Sequence, residues 1–302
     1  MERVKTGNVM VRNPVNKNQV NKVDLRPNNV ECIVFWTKNP EPFLPKLKEL
    51  DDLGYTYYFH VTINSYDQTI ERNIPRKKHI VASVEKLAEQ IGKHKIIWRY
   101  DPILLTDKVG IKYHKKYFDL LAQSLQNMTK TCVISFVDLY KKTKQNMQGI
   151  NYIPLTDERK QEITQNISKS AQKYGFQVQT CAEDSNFESL GIFPGKCVDD
   201  QLIYRITGKP MLVGKDKSQR KACGCVKSVD IGQYNTCTNG CLYCYANYDH
   251  GQVQENVANH QKTSQFIVGE LLESDEVIER KDSKKRKNTE KSGQPSLLSL
   301  IR

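Results

Sequence analysis

The sequence predicts an α/β fold: a parallel β/α sheet curled into a partial, TIM-like barrel, followed by an irregular cysteine-rich segment. Three observations lead there. Five apolar runs of strand length, rich in β-branched and aromatic residues, alternate with amphipathic stretches of helical period, and several of those stretches stop at a glycine. The runs are apolar throughout rather than alternating, as in strands buried on both faces of a parallel sheet. Each run also passes into polar residues at its carboxyl side. Strand, helix and strand in repeated succession imply right-handed crossovers, which gather the carboxyl ends of the strands on one side, where functional residues collect in such folds.

Residues 8–24 read as loop and short extended pieces with no sustained period. The first strand is 31–38 (ECIVFWTK), ended by Pro40 and Pro42, with a helix over 43–53 closed by Gly54. The second is 55–63 (YTYYFHVTI). A polar loop holding Asp67, Glu71 and Pro75 leads from it to a helix over 79–91 stopped by Gly92. The third strand, 95–100 (KIIWRY), runs into Asp101-Pro102 and is followed by a helix over 113–125. The fourth, 131–139 (TCVISFVDL), precedes a loop over 141–154 and a helix over 158–174 ended by Gly175. The fifth is 176–181 (FQVQTC). A shorter helix is expected over 198–207, the run GKDKSQRKACGC is loop, and 249–295 reads as an insertion of low order. Three units follow: a β/α partial barrel over 1–181, a cysteine-rich segment over 182–247 packed on the barrel mouth, and a polar, basic tail over 248–302. Polar residues at the strand ends make Lys38, Asn39, Thr62, Asn64, Arg99, Asp101, Asp138 and Glu183 the candidates for ligand contact, with Lys38, Arg99, Asp101 and Asp138 foremost. Arg99 and Asp101 fit a local ion pair as well as they fit a ligand clamp.

A chain of 302 residues has room for one large or two ordinary domains with a substantial core. No apolar run approaches the roughly 20 residues needed to cross a bilayer, and the N-terminal stretch lacks the apolar segment of a signal peptide, so a cytoplasmic location is expected. Of the formal charge of +12, residues 280–291 supply +5 through seven basic and two acidic side chains. Such a run is usually a solvated segment, and it points only weakly to nucleic acid as a partner.

Nine cysteines, five of them between Cys223 and Cys244, fit metal ligation in a reducing compartment better than a disulfide framework. Cys237, Cys241 and Cys244 form Cys-x3-Cys-x2-Cys within NTCTNGCLYCYAN. Three thiolates on one short loop select a soft centre, zinc, copper(I) or iron–sulfur. Structural zinc usually takes four ligands, here completed by Cys225 or His250, whereas a 4Fe-4S cluster held by three cysteines keeps one iron open. Cys181, Cys197, Cys223 and Cys225 are candidates for a second cluster, one with no open iron, suited to passing electrons or anchoring loops, because Gly224 lets two sulfurs face one centre and Cys181 ends the fifth strand. Cys32 and Cys132 lie inside apolar strands and read as core residues.

The spacing, with Tyr243 before the third cysteine, resembles the cluster loop of the radical S-adenosylmethionine enzymes, and C-x3-C-x-Y-C-Y resembles that of spore photoproduct lyase and its DNA-repair relatives. The resemblance implies that the open iron binds the amino and carboxylate groups of S-adenosylmethionine and that an electron from the cluster cleaves it to a carbon radical. An enzyme of that kind also requires an electron donor. The phrases CIVFWTKNP, IWRYDPI, ISFVDLY and CGC followed by S-x-DIG-x-Y-NTC-x3-C-x-YCYAN are similar to those of a prokaryotic family, domain of unknown function 1848, over nearly all of residues 8–247. In that family the cluster loop is C-terminal, and a strand bearing a motif similar to SRRTDIP usually comes first, so the resemblance implies a barrel lacking one N-terminal strand. It also implies that the stretch after Asn247 is an insertion before SLL, which is similar to the family's SPLL ending. Two other functions stay open beside the enzyme: a non-catalytic or electron-transfer iron–sulfur protein, and a zinc-stabilised nucleic-acid-binding module.

Overall fold

The computed structural model describes residues 1–211 and 213–279. The chain opens with a short helix, α1 (Glu2–Thr6), and two strands, β1 (Asn8–Arg12) and β2 (Gln19–Asp24), paired as an antiparallel hairpin. The short extended pieces expected within 8–24 are thus two paired strands rather than isolated segments. The central sheet begins at β3 (Ile33–Thr37). It continues through α2 (Leu47–Asp52), β4 (Tyr57–Thr62), α3 (Lys77–Ile91), β5 (Ile96–Ile103), a two-residue strand β6 (Leu105–Thr106), α4 (Ile111–Leu125) and β7 (Thr131–Phe136). Next come α5 (Lys141–Asn146), β8 (Tyr152–Ile153), α6 (Asp157–Tyr174), β9 (Gln177–Thr180), β10 (Phe193–Pro194), α7 (Asp200–Thr207), α8 (His250–Ala258) and β11 (Glu276–Glu279).

All five expected strands are present and mutually parallel, with β10 added as a sixth, in the order β10-β9-β7-β5-β4-β3. Apart from the small β6–β8 pair, the order follows the sequence without reversal. The two edges, β3 and β10, do not pair with each other among the described residues.

Three local expectations are corrected. The helix expected over 43–53 is split, because Pro42 and Pro45 remove amide donors; a 3-10 segment Glu41–Lys46 precedes α2. The loop expected over 141–154 contains α5 and β8. Residues 249–279, expected to have low order, form α8, whose N-terminus is capped when Asp249 accepts the Gln252 amide at 3.0 Å, and β11, which runs parallel to β2. That pairing brings Phe266 against Met10 and Val20 and is locked by the Arg12–Asp275 ion pair. A polar edge strand with only two apolar residues carries too weak a period to be read beforehand. The basic run 280–291 and the final SLLSLIR lie outside the described residues. No described helix is long and apolar enough to cross a membrane.

Successive side chains of a strand point to opposite faces, and here both faces are covered. Tyr57, Phe59, Val61, Trp98, Tyr100, Ile134 and Phe136 face α3, α4 and α6, with Trp98 stacked on Phe118 of α4 at 4.8 Å. Tyr58, Ile97 and Val133 face the other way, onto Leu202 and Ile203 of α7. Charged and sulfur-bearing side chains share this second face.

On the helical side, His114 of α4 is buried between strand residues. Its Nε2 lies 2.8 Å from the Leu104 carbonyl, which can only accept, so Nε2 carries the proton and Nδ1 accepts from the Tyr100 hydroxyl at 2.8 Å. Burial lowers the imidazole to about 4, partly offset by the Leu104 carbonyl. A folded value below the unfolded one means stability that is complete above the ordinary histidine range and is lost as pH falls towards 4. From pH 7 to pH 5 this one group is expected to remove about 2 kcal/mol of unfolding free energy. Denaturant titrations at the two pH values check it, and His114→Phe, although less stable at neutrality, should show a pH slope shallower by that amount.

Candidate functional site

The loop bearing Cys237, Cys241 and Cys244 lies against the segment that follows β4. The Leu242 amide donates to the Ile70 carbonyl at 3.0 Å, the Asn73 amide to Asn239 at 3.1 Å, and the Asn73 side-chain amide to Thr238 at 2.7 Å; Cys241 bridges Glu71 in antiparallel fashion. Gly240 makes the approach possible. Its φ is 64°, and a Cβ there would sit 3.2 Å from the Asn73 amide nitrogen and 3.3 Å from the Arg72 Cβ. The loop's ends are tied by Asn235, whose amide donates to Ala246 at 2.8 Å, and by Asn247, whose side chain donates to the Cys237 carbonyl. Cys237 is exposed, Cys244 is half-buried, and burial pushes the Cys241 thiol up to about 12 despite Lys38 nearby. Burial also raises Cys244, opposed by the amides of Ala246 and Asn247 that point at its sulfur. The three thiols are close enough to act on one another electrostatically.

Beneath the loop lies Glu71, its side chain 1% exposed. One carboxylate oxygen accepts from Lys38 Nζ at 2.8 Å, from the Tyr243 hydroxyl and more distantly from Asn64; the other accepts from Lys77. Burial penalises the carboxylate, but Lys38 and Lys77 outweigh it and hold the group below the ordinary glutamate range. Lys38 also sits over the Tyr243 ring, 5.4 Å from its centroid. Asn64 carries the network sideways, donating to the Asp101 carbonyl at 2.9 Å while accepting from the Asp101 amide at 2.8 Å.

On the second face of the sheet, Arg99 donates through Nε and Nη2 to one oxygen of Asp101, at 2.8 and 2.6 Å, and through Nη1 to the sulfur of Cys197 at 2.9 Å. The other Asp101 oxygen accepts from Ser135. Burial works against the guanidinium charge, and Asp101, Cys197 and Cys181 together outweigh it. The Cys197 carbonyl is gripped by the Tyr58 hydroxyl at 2.6 Å and by His60 Nε2 at 2.8 Å, while His60 Nδ1 has no partner. The Cys181 and Cys197 sulfurs are 3.3 Å apart, and the amides of Cys197 and Val198 donate to the Cys225 sulfur at 3.2 and 3.4 Å.

Lys38 follows β3, Arg99 and Asp101 belong to β5 and Asp138 follows β7, so all lie towards the carboxyl end of one parallel sheet. They do not form one cluster. Asp138, expected to be a charge at the end of a buried strand, is exposed and pairs with Arg220 at 2.6 Å. Glu183 accepts the Phe136 amide at 2.8 Å and faces Lys160, a contact that closes the end of β7. His250, weighed as a zinc ligand, is exposed at the start of α8, and Cys225 stands with Cys181, Cys197 and Cys223 rather than with the Cys237 loop. Among the described residues no group of three His, Cys, Asp or Glu side chains is disposed about an ion-sized gap. The residues that sequence reasoning passed over are Glu71 and Lys77, polar side chains in a polar loop whose burial depends on a segment about 170 positions away.

Replacing Glu71 by Gln preserves shape but leaves Lys38 and Lys77 without a counter-charge, which is expected to cost about 3 kcal/mol. Denaturant unfolding measures it, and hydrogen exchange should show residues 237–244 loosened. A loss under about 1 kcal/mol, with exchange unchanged, would mean that Glu71 does not anchor the loop.

Among solved structures, the chain is similar to one described as "a putative alpha-L-fucosidase" from Bacteroides thetaiotaomicron, at 13% identity over 54% of this chain and 67% of that one; a TM-score of 0.22 is too low to transfer fold or activity. No curated protein matches the chain. The model of a family described as "Domain of unknown function (DUF1848)" matches residues 1–246, most of the sequence and every cysteine described above, and the chain belongs to that family.

Proposed function

We propose that the protein is an iron–sulfur enzyme of the radical S-adenosylmethionine type, built on a TIM-like partial barrel, with a 4Fe-4S cluster held by Cys237, Cys241 and Cys244. The observation that carries the reading is the anchoring of a Cys-x3-Cys-x2-Cys loop at the carboxyl end of a parallel sheet by a buried, charged network. The unreversed strand order, from β3 to β10, is that of a sheet curling towards a barrel, whose functional groups meet at that end.

The donor set suits the cluster. All three ligands are soft, Cys241 is buried and Cys244 half-buried, and the amides of Ala246 and Asn247 lie on the side of Cys244, where outer-shell donors stand around cluster sulfurs. When bound, the cluster would supply an open iron for the amino and carboxylate groups of S-adenosylmethionine and the electron for its cleavage. The chain's own part is positioning and charge. Lys38, already beside Cys241 and over Tyr243, places a cation next to the thiolates and lowers the cost of burying them. Tyr243, the neighbour of the third ligand Cys244, is itself fixed by its hydrogen bond to Glu71, so the loop is preorganised rather than ordered on loading. Asn64 connects this arrangement to Asp101, which orients Arg99 on the second face.

Protein purified and reconstituted without oxygen is expected to absorb near the visible maximum of 4Fe-4S proteins and, with a chemical reductant, to convert S-adenosylmethionine into methionine and 5′-deoxyadenosine. Cys→Ala at any one of the three positions should abolish both signals. Full iron content in all three single variants, or a cluster that leaves S-adenosylmethionine intact, would reject the enzyme reading; the second result would favour an electron-transfer protein.

A further inference from the structure

The cysteines outside the Cys237 loop form a second group with its own geometry. Cys181 follows β9, its amide bonded to the Ile134 carbonyl at 2.9 Å. Cys197 lies between β10 and α7. Cys223 and Cys225 flank Gly224, where a Cβ would press on Lys196 Cγ at 3.2 Å and the Gly195 carbonyl at 3.3 Å, so glycine lets this turn close on the Cys197 segment. The turn is held in place from both sides, by Asp216 donating to the Cys225 carbonyl at 2.9 Å and by Val226 donating to Val198 at 3.1 Å. Sulfur contacts then link the four. Cys181 touches Cys197 at 3.3 Å, the Cys225 sulfur accepts from the Cys197 and Val198 amides at 3.2 and 3.4 Å, and Cys223 lies close enough to Cys225 and Cys181 to act on them electrostatically.

The Cys181–Cys197 distance bears on whether that pair would share one metal atom. In a cubane each cysteine holds a different iron, which spreads the sulfurs across the outside of the cluster. The ligands of one tetrahedral ion at ~2.3 Å lie about 3.8 Å apart. A 3.3 Å contact is half an ångström from the second arrangement and far from the first. As the free thiols stand, no three of them are placed to hold an ion among the described residues, so loading requires the sulfurs to shift.

We propose that Cys181, Cys197, Cys223 and Cys225 bind one zinc ion as a closed tetrathiolate site, separate from the Cys237 loop. This reading does not depend on the iron–sulfur one. Four thiolates and one divalent ion carry two negative charges, and the surroundings are built to accept them: Arg99 donates to the Cys197 sulfur, and two backbone amides donate to the Cys225 sulfur. With all four positions taken by protein, the ion has no place for substrate, so its role is structural. It cross-links the end of β9 to segments with little hydrophobic core of their own, and it fixes the Cys197 carbonyl against Tyr58 and His60.

The test is metal analysis of the full chain carrying Cys237→Ala, Cys241→Ala and Cys244→Ala together. This triple variant should retain about one zinc per chain, and cobalt exchanged for the zinc should give the intense thiolate-to-metal and tetrahedral d–d absorption of a tetrathiolate site. Adding Cys223→Ser and Cys225→Ser should reduce bound zinc at least tenfold. The cobalt spectrum reads the four cysteines intact, so the proposal can be judged even if the serine variant does not fold. Absence of zinc from the triple variant, iron in its place, or a Cys181–Cys197 disulfide found by mass would each overturn the site. Loss of iron but not zinc in the triple variant separates this proposal from the one above, since iron reports the loop and zinc the second group.

Discussion

A carboxylate taken out of water is tolerable only if its charge is answered in place, and Glu71 is answered by two lysines, a tyrosine and an asparagine. Each partner comes from a different part of the chain: Lys38 from the end of β3, Asn64 from beyond β4, Lys77 from the start of α3 and Tyr243 from the cysteine loop. The network therefore converts one desolvated charge into a set of positional constraints. The loop has almost no regular structure, yet its backbone is paired to residues 70–73, and the Tyr243–Glu71 contact adds a side-chain tie to those backbone bonds.

The same logic operates once more on the opposite face. Arg99 is buried on its strand, and it is held by Asp101, whose free oxygen is taken by Ser135. Asn64 spans the two networks, bonded to both the carbonyl and the amide of Asp101 while its amide also reaches Tyr243 at 3.2 Å. A chain of hydrogen bonds thus runs from Tyr243 through Asn64 and Asp101 to Arg99 and the Cys197 sulfur, past the carboxyl ends of β4 and β5.

The five strands were legible because a strand buried on both faces leaves a continuous apolar run, and ECIVFWTK, YTYYFHVTI and TCVISFVDL are such runs. The polar positions at their ends were legible for the same reason, since the run has to stop somewhere. What each polar side chain does was not. Arg99 and Asp101 are two residues apart and pair locally, while Asp138 looks equivalent in sequence but turns to solvent and meets Arg220, 82 residues further on. Glu71 gives no signal at all in a loop of polar residues, and the three-stranded sheet built on the hairpin over 8–24 is hidden because its third strand, β11, is more than 250 positions away from β2. Local period reveals which face of an element is buried. It is silent on partners that only the folded chain supplies.

The charges around the two cysteine groups differ in a way that bears on what each can hold. Beside Cys241 and Cys244 stand two lysines and one carboxylate, a set carrying one net positive charge, with Lys38 in direct reach of the thiols. Beside Cys181 and Cys197 the charges of Arg99 and Asp101 cancel, and the help available to a thiolate is local: one guanidinium N–H on one sulfur and two amides on another. A surplus cation suits a centre whose charge changes, because it lowers the cost of adding negative charge in a buried place. A neutral pair with directed donors suits a centre of fixed charge, where hydrogen bonds to particular sulfurs do the stabilising. These two environments are the charge argument behind the two proposals, a redox cluster at the Cys237 loop and a closed zinc site at the second group.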